Sequence, residues 1–181
     1  MNLRTFLPPA PTPTAAPPEV GAQAPELPDG APRERPVVIA FLRHTGCPFA
    51  EWTARAIRDA AEREPDVAWV AVSHAPPEAT ETWAEAVGGV GDATLLSDPE
   101  RAHYAAWGLG RSSLAHFAGR RSLAQVAKLA REGVRNRHPH GTRWQQAGAF
   151  AVDAERTVRW RHLPDHAGDL PDLGAAASAL K

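Results

Sequence analysis

Residues 37–63 read Val37-Val-Ile-Ala-Phe41-Leu-Arg43-His44-Thr45-Gly46-Cys47-Pro48-Phe49-Ala-Glu51-Trp52-Thr-Ala-Arg55-Ala-Ile57-Arg-Asp-Ala-Ala61-Glu-Arg63, and this stretch decides the fold. Val37 to Phe41 is an apolar run rich in β-branched residues, of a length that suits a buried strand. Arg43 and His44 follow, then a Thr45-Gly46 turn, then an Ala-rich segment with apolar residues at helical spacing. Cys47, the one cysteine of the chain, falls at the joint. Pro48 behind it suits the first helical position, where a missing N–H costs nothing. The pattern predicts a strand, a turn and a helix of about four turns, with Cys47 capping the helix start.

A thiol in that place has chemical consequences. Only the thiolate is a strong nucleophile. Unpaired N–H groups and the macrodipole at a helix start favour an anion by about 0.3–1 kcal/mol. A nearby cation adds to this, and Arg43 and His44 are the local candidates. His44 could also shuttle a proton. The competing reading is an inert, buried cysteine used as a small hydrophobe. The strand–turn–helix setting favours the reactive reading.

Downstream, Glu64-Pro65-Asp66 ends the helix before Val67–Val72, a second near-continuous apolar strand. Strand, helix and strand in this order predict a parallel, right-handed crossover in a sheet covered on both faces. Pro76-Pro77 opens a helix from Glu78 towards Val87, and residues 93–96 suit a short strand. Asp98-Pro99 caps a helix through Trp107, residues 111–120 read as a loop, and Ser122 to Val134 as a further helix. Residues 135–147 are polar and irregular. Ala149–Val152 and Thr157–Arg161 predict an antiparallel pair, followed by a last helix that begins near Asp169. Glu51 and Arg55, four apart, are placed as a pair on the exposed face of the first helix.

Composition sets the outer bounds. The 181 residues are 43% hydrophobic and 23% charged with a net charge of −1, as in an ordinary globular protein, and nothing points to a nucleic acid or a membrane partner. A single cysteine excludes an internal disulfide framework and a cysteine-based zinc site, and a cytoplasmic protein is expected. Ten of the 18 prolines fall in residues 1–36, so residues 1–18 read as a disordered Pro-rich tail and residues 19–181 as one domain.

Gly46-Cys47-Pro48-Phe49-Ala50 after an apolar strand resembles the active-site turn of the thioredoxin superfamily. The wider pattern resembles the peroxiredoxin-like AhpC/TSA branch. It includes Glu19-Val-Gly-Ala-Gln-Ala-Pro25, Leu95-Leu-Ser-Asp98-Pro99 with Tyr104 and Trp107, and Gly148-Ala-Phe150-Ala-Val-Asp153, in family order over residues 19–173. The resemblance implies an α/β thioredoxin-like fold, a central mixed β-sheet flanked by helices on both faces. It implies a thiol peroxidase in which Cys47 attacks a peroxide and becomes a sulfenic acid. Thr45 would orient the thiol or the peroxide, and Arg43 or Arg143 would stabilise the charges.

The chain also departs from the family pattern. Ala40 and His44 stand where peroxiredoxins proper carry Pro and Thr or Ser, Ala50 where dithiol relatives carry a second Cys, and Gln145-Gln146-Ala147 where a thioredoxin-type cis-Pro would fall. With no resolving cysteine, an external thiol such as glutathione or a thioredoxin must act as reductant. No cofactor is implied, and a homodimer is left open. Two other functions stay open: a monothiol glutaredoxin-like oxidoreductase, and a catalytically silent domain that uses the fold for binding.

Charge and aromatic residues add three further readings. Residues 111–161 hold 11 Arg or Lys against three acids, either an electropositive wall near Cys47 or a solvated face. Trp144, beside Arg143, could join Phe49 and Trp52 in an apolar pocket suited to an organic hydroperoxide. His138 and His140, with His162 and His166, match no metal-ligand spacing and read as surface histidines.

Overall fold

The computed structural model describes residues 8–10 and 12–181. Five strands form one mixed sheet in the order β3-β2-β1-β4-β5. They are β1 (Val37–Phe41), β2 (Ala68–Ser73), β3 (Thr94–Ser97), β4 (Gly148–Val152) and β5 (Val158–His162). β1 runs parallel to β2, and β2 to β3, while β4 lies antiparallel to β1 and β5 to β4. The parallel half follows from the long crossovers, and the antiparallel β4–β5 pair from the short turn at residues 153–157.

The helices are α1 (Pro48–Arg63), α2 (Pro77–Ala86), α3 (Ala102–Ala106), α4 (Leu114–Ala118), α5 (Arg120–Arg131) and α6 (Leu173–Ser178). The two faces of the sheet carry separate cores, because side chains alternate along a strand. Val38, Ala40 and Leu42 point to a core shared with Ile57 and Ala61 of α1, Leu129 of α5 and Ala176 of α6. Val37, Ile39 and Phe41 point the other way, to Tyr104, Trp107, Leu27 and Phe150. Phe41, Trp107 and Phe150 pack with ring centroids 4.9–6.4 Å apart. The buried Tyr104 hydroxyl lies 2.7 Å from Leu42 O and 2.8 Å from Val72 O, tying the ends of β1 and β2 together.

Three features differ from the sequence reading. The expected loop at 111–120 contains α4, capped by Ser113, whose hydroxyl accepts from His116 N. The last helix starts at Leu173, with Asp172 as its cap. The Glu51–Arg55 pair is not on an exposed face: Glu51 is only 1% exposed, and Arg137 is a second partner. Of the Pro-rich tail expected at 1–18, residues 1–7 and 11 lie outside the described residues. Its later part lies along α3, where Ala15 N donates to Ala105 O at 3.0 Å and Pro17 abuts Gly108.

Candidate functional site

β1 ends at Phe41, and the chain turns through residues 42–46 into α1. Gly46 makes the turn with φ +86°, a backbone conformation that L side chains rarely adopt. Cys47 then caps α1 in an extended conformation, and its carbonyl accepts the first helical hydrogen bond from Glu51 N at 3.1 Å. Pro48 occupies the first helical position. Cys47 therefore stands at the start of a 16-residue helix, beyond the end of a central strand, in the positive field of the helix N-terminus, although its side chain makes no capping hydrogen bond.

A second segment covers this turn. Residues 135–143 run across it as a strap: Arg137 N donates to Gly46 O at 2.9 Å, and Thr45 and His140 pair as an antiparallel bridge. The buried Glu51 carboxylate holds the strap in place, meeting Arg137 Nε at 3.1 Å and Arg55 Nη2 of its own helix. His74 Nε2 binds Thr142 O at 3.1 Å; a carbonyl only accepts, so this nitrogen carries the proton. With these contacts made, Cys47 is 4% exposed and opens on a cleft of about 280 Å³.

Two guanidiniums share that cleft with the sulfur. Arg43 is 4% exposed, its Nη2 donates to Arg143 O at 2.9 Å, and its charged carbon lies 5.8 Å from the Phe117 ring centre. Among the described residues, its Nε and Nη1 are buried without a hydrogen-bond partner. Arg143 comes from the strap and is half-buried. Burial lowers its guanidinium from the ordinary arginine value, the Cys47 charge acts in the opposite direction, and Arg43 adds to the lowering. The Arg143–Cys47 interaction thus brings together two residues almost a hundred positions apart.

The other expected site residues have distinct placements. Burial, opposed by the Thr45 carbonyl and aided by Arg43, Arg143 and His74, pushes His44 down to about 3. Its Nδ1 donates to Thr45 O at 2.9 Å. At neutral pH this imidazole is uncharged, so the positive charge beside the sulfur comes from the arginines. The buried Thr45 hydroxyl is 3.5 Å from His140 O, turned towards the strap. Phe49 lines the cleft. Trp52 is half-buried against the α1-side core, and Trp144 packs edge-on against Phe117 at 5.1 Å. Phe117, Leu123 and Val126 of α4 and α5 supply the apolar wall that Trp52 and Trp144 were expected to form.

His138 and His140 lie with ring centroids 5.3 Å apart, and among the described residues no group of three or more His, Cys, Asp or Glu is arranged to hold a metal. Sequence reasoning missed Glu51, Arg137 and Phe117. Glu51 did give one signal, a carboxylate four residues after the cysteine, but its spacing to Arg55 suggested a surface pair.

The family described as AhpC/TSA antioxidant enzyme matches residues 58–166, from inside α1 to beyond β5. No curated protein sequence matches the chain. Among solved structures, a peroxiredoxin-like protein from Aquifex aeolicus is similar at a TM-score of 0.65 and 16% identity, covering 91% of this chain and 87% of that one. Peroxidoxin BcpB from Mycobacterium tuberculosis is similar at 0.61 and 21%, covering 90% and 96%. A thiol peroxidase from Chromobacterium violaceum is similar at 0.60 and 14%, covering 91% and 87%.

Proposed function

Because the chain belongs to the AhpC/TSA antioxidant enzyme family, on a thioredoxin-type fold, we propose that it is a thiol peroxidase working through Cys47 alone. The observation that carries this reading is the placement of Cys47 at the start of α1, in one cleft with Arg43 and Arg143. The thiolate attacks the terminal oxygen of R–O–OH. The S–O bond forms as the O–O bond breaks, sulfur is oxidised to the sulfenic acid, and the alkoxide takes a proton from water to leave as ROH. The guanidiniums favour the thiolate and stabilise the negative charge that moves to the departing oxygen.

Cys47 is the chain's one cysteine, so the sulfenic acid is reduced from outside. A first external thiol condenses with it, releasing water and leaving a mixed disulfide. A second thiol, from another glutathione or from the same thioredoxin, then displaces the Cys47 thiolate, and the reductant departs as a disulfide. Glutathione or a thioredoxin supplies those electrons, in a reducing compartment such as the cytoplasm. Neutral His44 and the strap-bound Thr45 leave the arginines as the charged participants.

Stopped-flow consumption of hydrogen peroxide and cumene hydroperoxide tests the reading. Cys47→Ser is expected to abolish consumption, while the wild type forms one sulfenic acid per chain, trapped by dimedone and seen by mass spectrometry. Equal rates in the two proteins would end it.

A further inference from the structure

The Pro-rich segment near the start of the chain makes a defined contact that peroxide chemistry does not use. Residues 12–18 run beside α3 and the loop that follows it. Ala15 N donates to Ala105 O at 3.0 Å, and Arg161 Nη1 donates to Pro18 O at 3.0 Å. Pro17 rests on Gly108, where an added Cβ would lie 2.3 Å from Pro17 N. Gly108 has φ +76°, so a residue without a side chain supplies both the turn and the seat. Further out, Arg111 Nη1 donates to Pro9 O at 3.3 Å.

The loop under this segment is bonded to the root of the strap. Gln146 N donates to Gly110 O at 3.0 Å and Ser112 N to Trp144 O at 2.7 Å. The buried Gln145 side chain donates from Nε2 to Leu109 O at 2.6 Å. Arg111 and Gln145 pair as an antiparallel bridge, and the Arg111 guanidinium lies 5.7 Å from the Trp144 ring centre. The next residue towards the thiol is Arg143, whose carbonyl accepts from Arg43 Nη2. A continuous set of contacts thus runs from Pro17 through residues 108–112 and 144–146 to the strap over Cys47.

The first link of that set is also the weakest. Pro13, Pro17 and Pro18 have no N–H to give, and among the described residues Ala15 N is the one backbone donor of residues 12–18 that reaches the rest of the fold. A gap of about 20 Å³ beside Thr12, Thr14, Arg101 and Gln145 leaves room for about one water. Proline keeps a released segment extended, so docking again costs little entropy. We propose that residues 12–18 are a removable brace: seated on Gly108 they hold the strap down over Cys47, and lifted off they open the thiol to reagents. A partner that captures this Pro-rich chain therefore raises the reactivity of Cys47. The brace concerns access to the sulfur and stands whether or not Cys47 reduces peroxides.

Full-length protein carrying Ala15→Pro and Pro17→Gly tests this, since the first change removes the backbone donor and the second the ring on Gly108. Neither residue lines the Cys47 cleft. Iodoacetamide is expected to alkylate Cys47 about fivefold faster in this variant than in the wild type, the scale of one hydrogen bond. Hydrogen exchange at Gln146 N and Ser112 N should quicken by a similar factor, with β4 unchanged. A synthetic peptide of residues 12–19, added at about millimolar concentration, the range a short tether gives its own segment, is expected to refill the seat and restore the slow rate. A scrambled peptide should not. Alkylation at the wild-type rate would overturn the brace. A faster rate that the peptide does not reverse would overturn it too, because that marks a fold merely destabilised. Peroxide turnover absent beside a rate that the peptide restores would instead refute the peroxidase reading and leave the brace standing.

Discussion

Glu51 shows how a single residue can organise this site without touching the sulfur. Its carboxylate lies in the first turn of α1, 1% exposed, between Arg55 and Arg137. Through Arg137 it pins the strap, and through the strap it sets where Arg143 stands. Glu51→Gln keeps the shape and removes the charge. Breaking a fully buried pair costs about 3–5 kcal/mol, but both arginine side chains are 35% exposed, and solvent screening reduces the expected loss to about 1–2 kcal/mol. Urea unfolding measures that loss, and faster reaction of native Cys47 with iodoacetamide reports the loosened strap. A variant with unchanged stability and unchanged thiol reactivity would remove Glu51 from this role. The sequence alone pointed to Cys47 and Arg43, because a cysteine between a strand and a Pro-led helix has a local signature, and to Arg143 only through the family resemblance. It could not show that Glu51 and Arg43 are buried, since the contacts that bury them come from residues 137 and 143, far along the chain.

Among the elements, β1, its turn and α1 were legible because each has a strong local cue: an apolar run, a Thr-Gly turn, a Pro at the first helical position. α4 was not, being five residues long, below the length at which periodicity separates a helix from a loop. The shape of the strap was not legible for a different reason. It is irregular in sequence and gains its shape by pairing with the turn, with Thr45 and His140 bridged and Arg137 N on Gly46 O. That pairing leaves no room at Gly46, where an added Cβ would lie 2.5 Å from His138 O and 2.8 Å from Arg137 O. Gly46→Ala therefore has to distort the turn or lift the strap. We expect it to lose at least about 2 kcal/mol, combining a residue forced to positive φ with a backbone clash. Hydrogen exchange should locate the damage, with faster exchange at Arg137 N and little change in β4. Protection at Arg137 N equal to that of the wild type would show that the turn and strap are not coupled.

Across the whole molecule, the ends of β1 and β2 gather two buried histidines on the edge that carries the cleft. His44 follows β1, and His74 follows β2. Burial lowers His74 to about 4, opposed by the Thr142 carbonyl and aided by Arg101 and Arg43; His44 stands at about 3. Each folded value lies below the ordinary histidine value near 6.5, which the unfolded chain regains. As pH falls through 6.5 the unfolded chain takes up these protons, and the folded chain does not until about 4 and about 3. The unfolded state thus binds more protons across that window, so stability is intact above it and falls on acidification. The slope is up to about 1.4 kcal/mol per pH unit for each histidine. Urea unfolding from about pH 7 to pH 5 gives the number of protons taken up from that slope. Replacing His44 and His74 together by Asn, a neutral amide able to keep a donor near each carbonyl, should remove close to two protons from it. The Asn pair also separates these histidines from the carboxylates, whose protonation contributes equally in both proteins. If the doubly substituted protein loses stability as steeply as the wild type, the acid sensitivity lies elsewhere. If it does not, the end of the sheet that presents the thiol is also the part of the fold that acid attacks first.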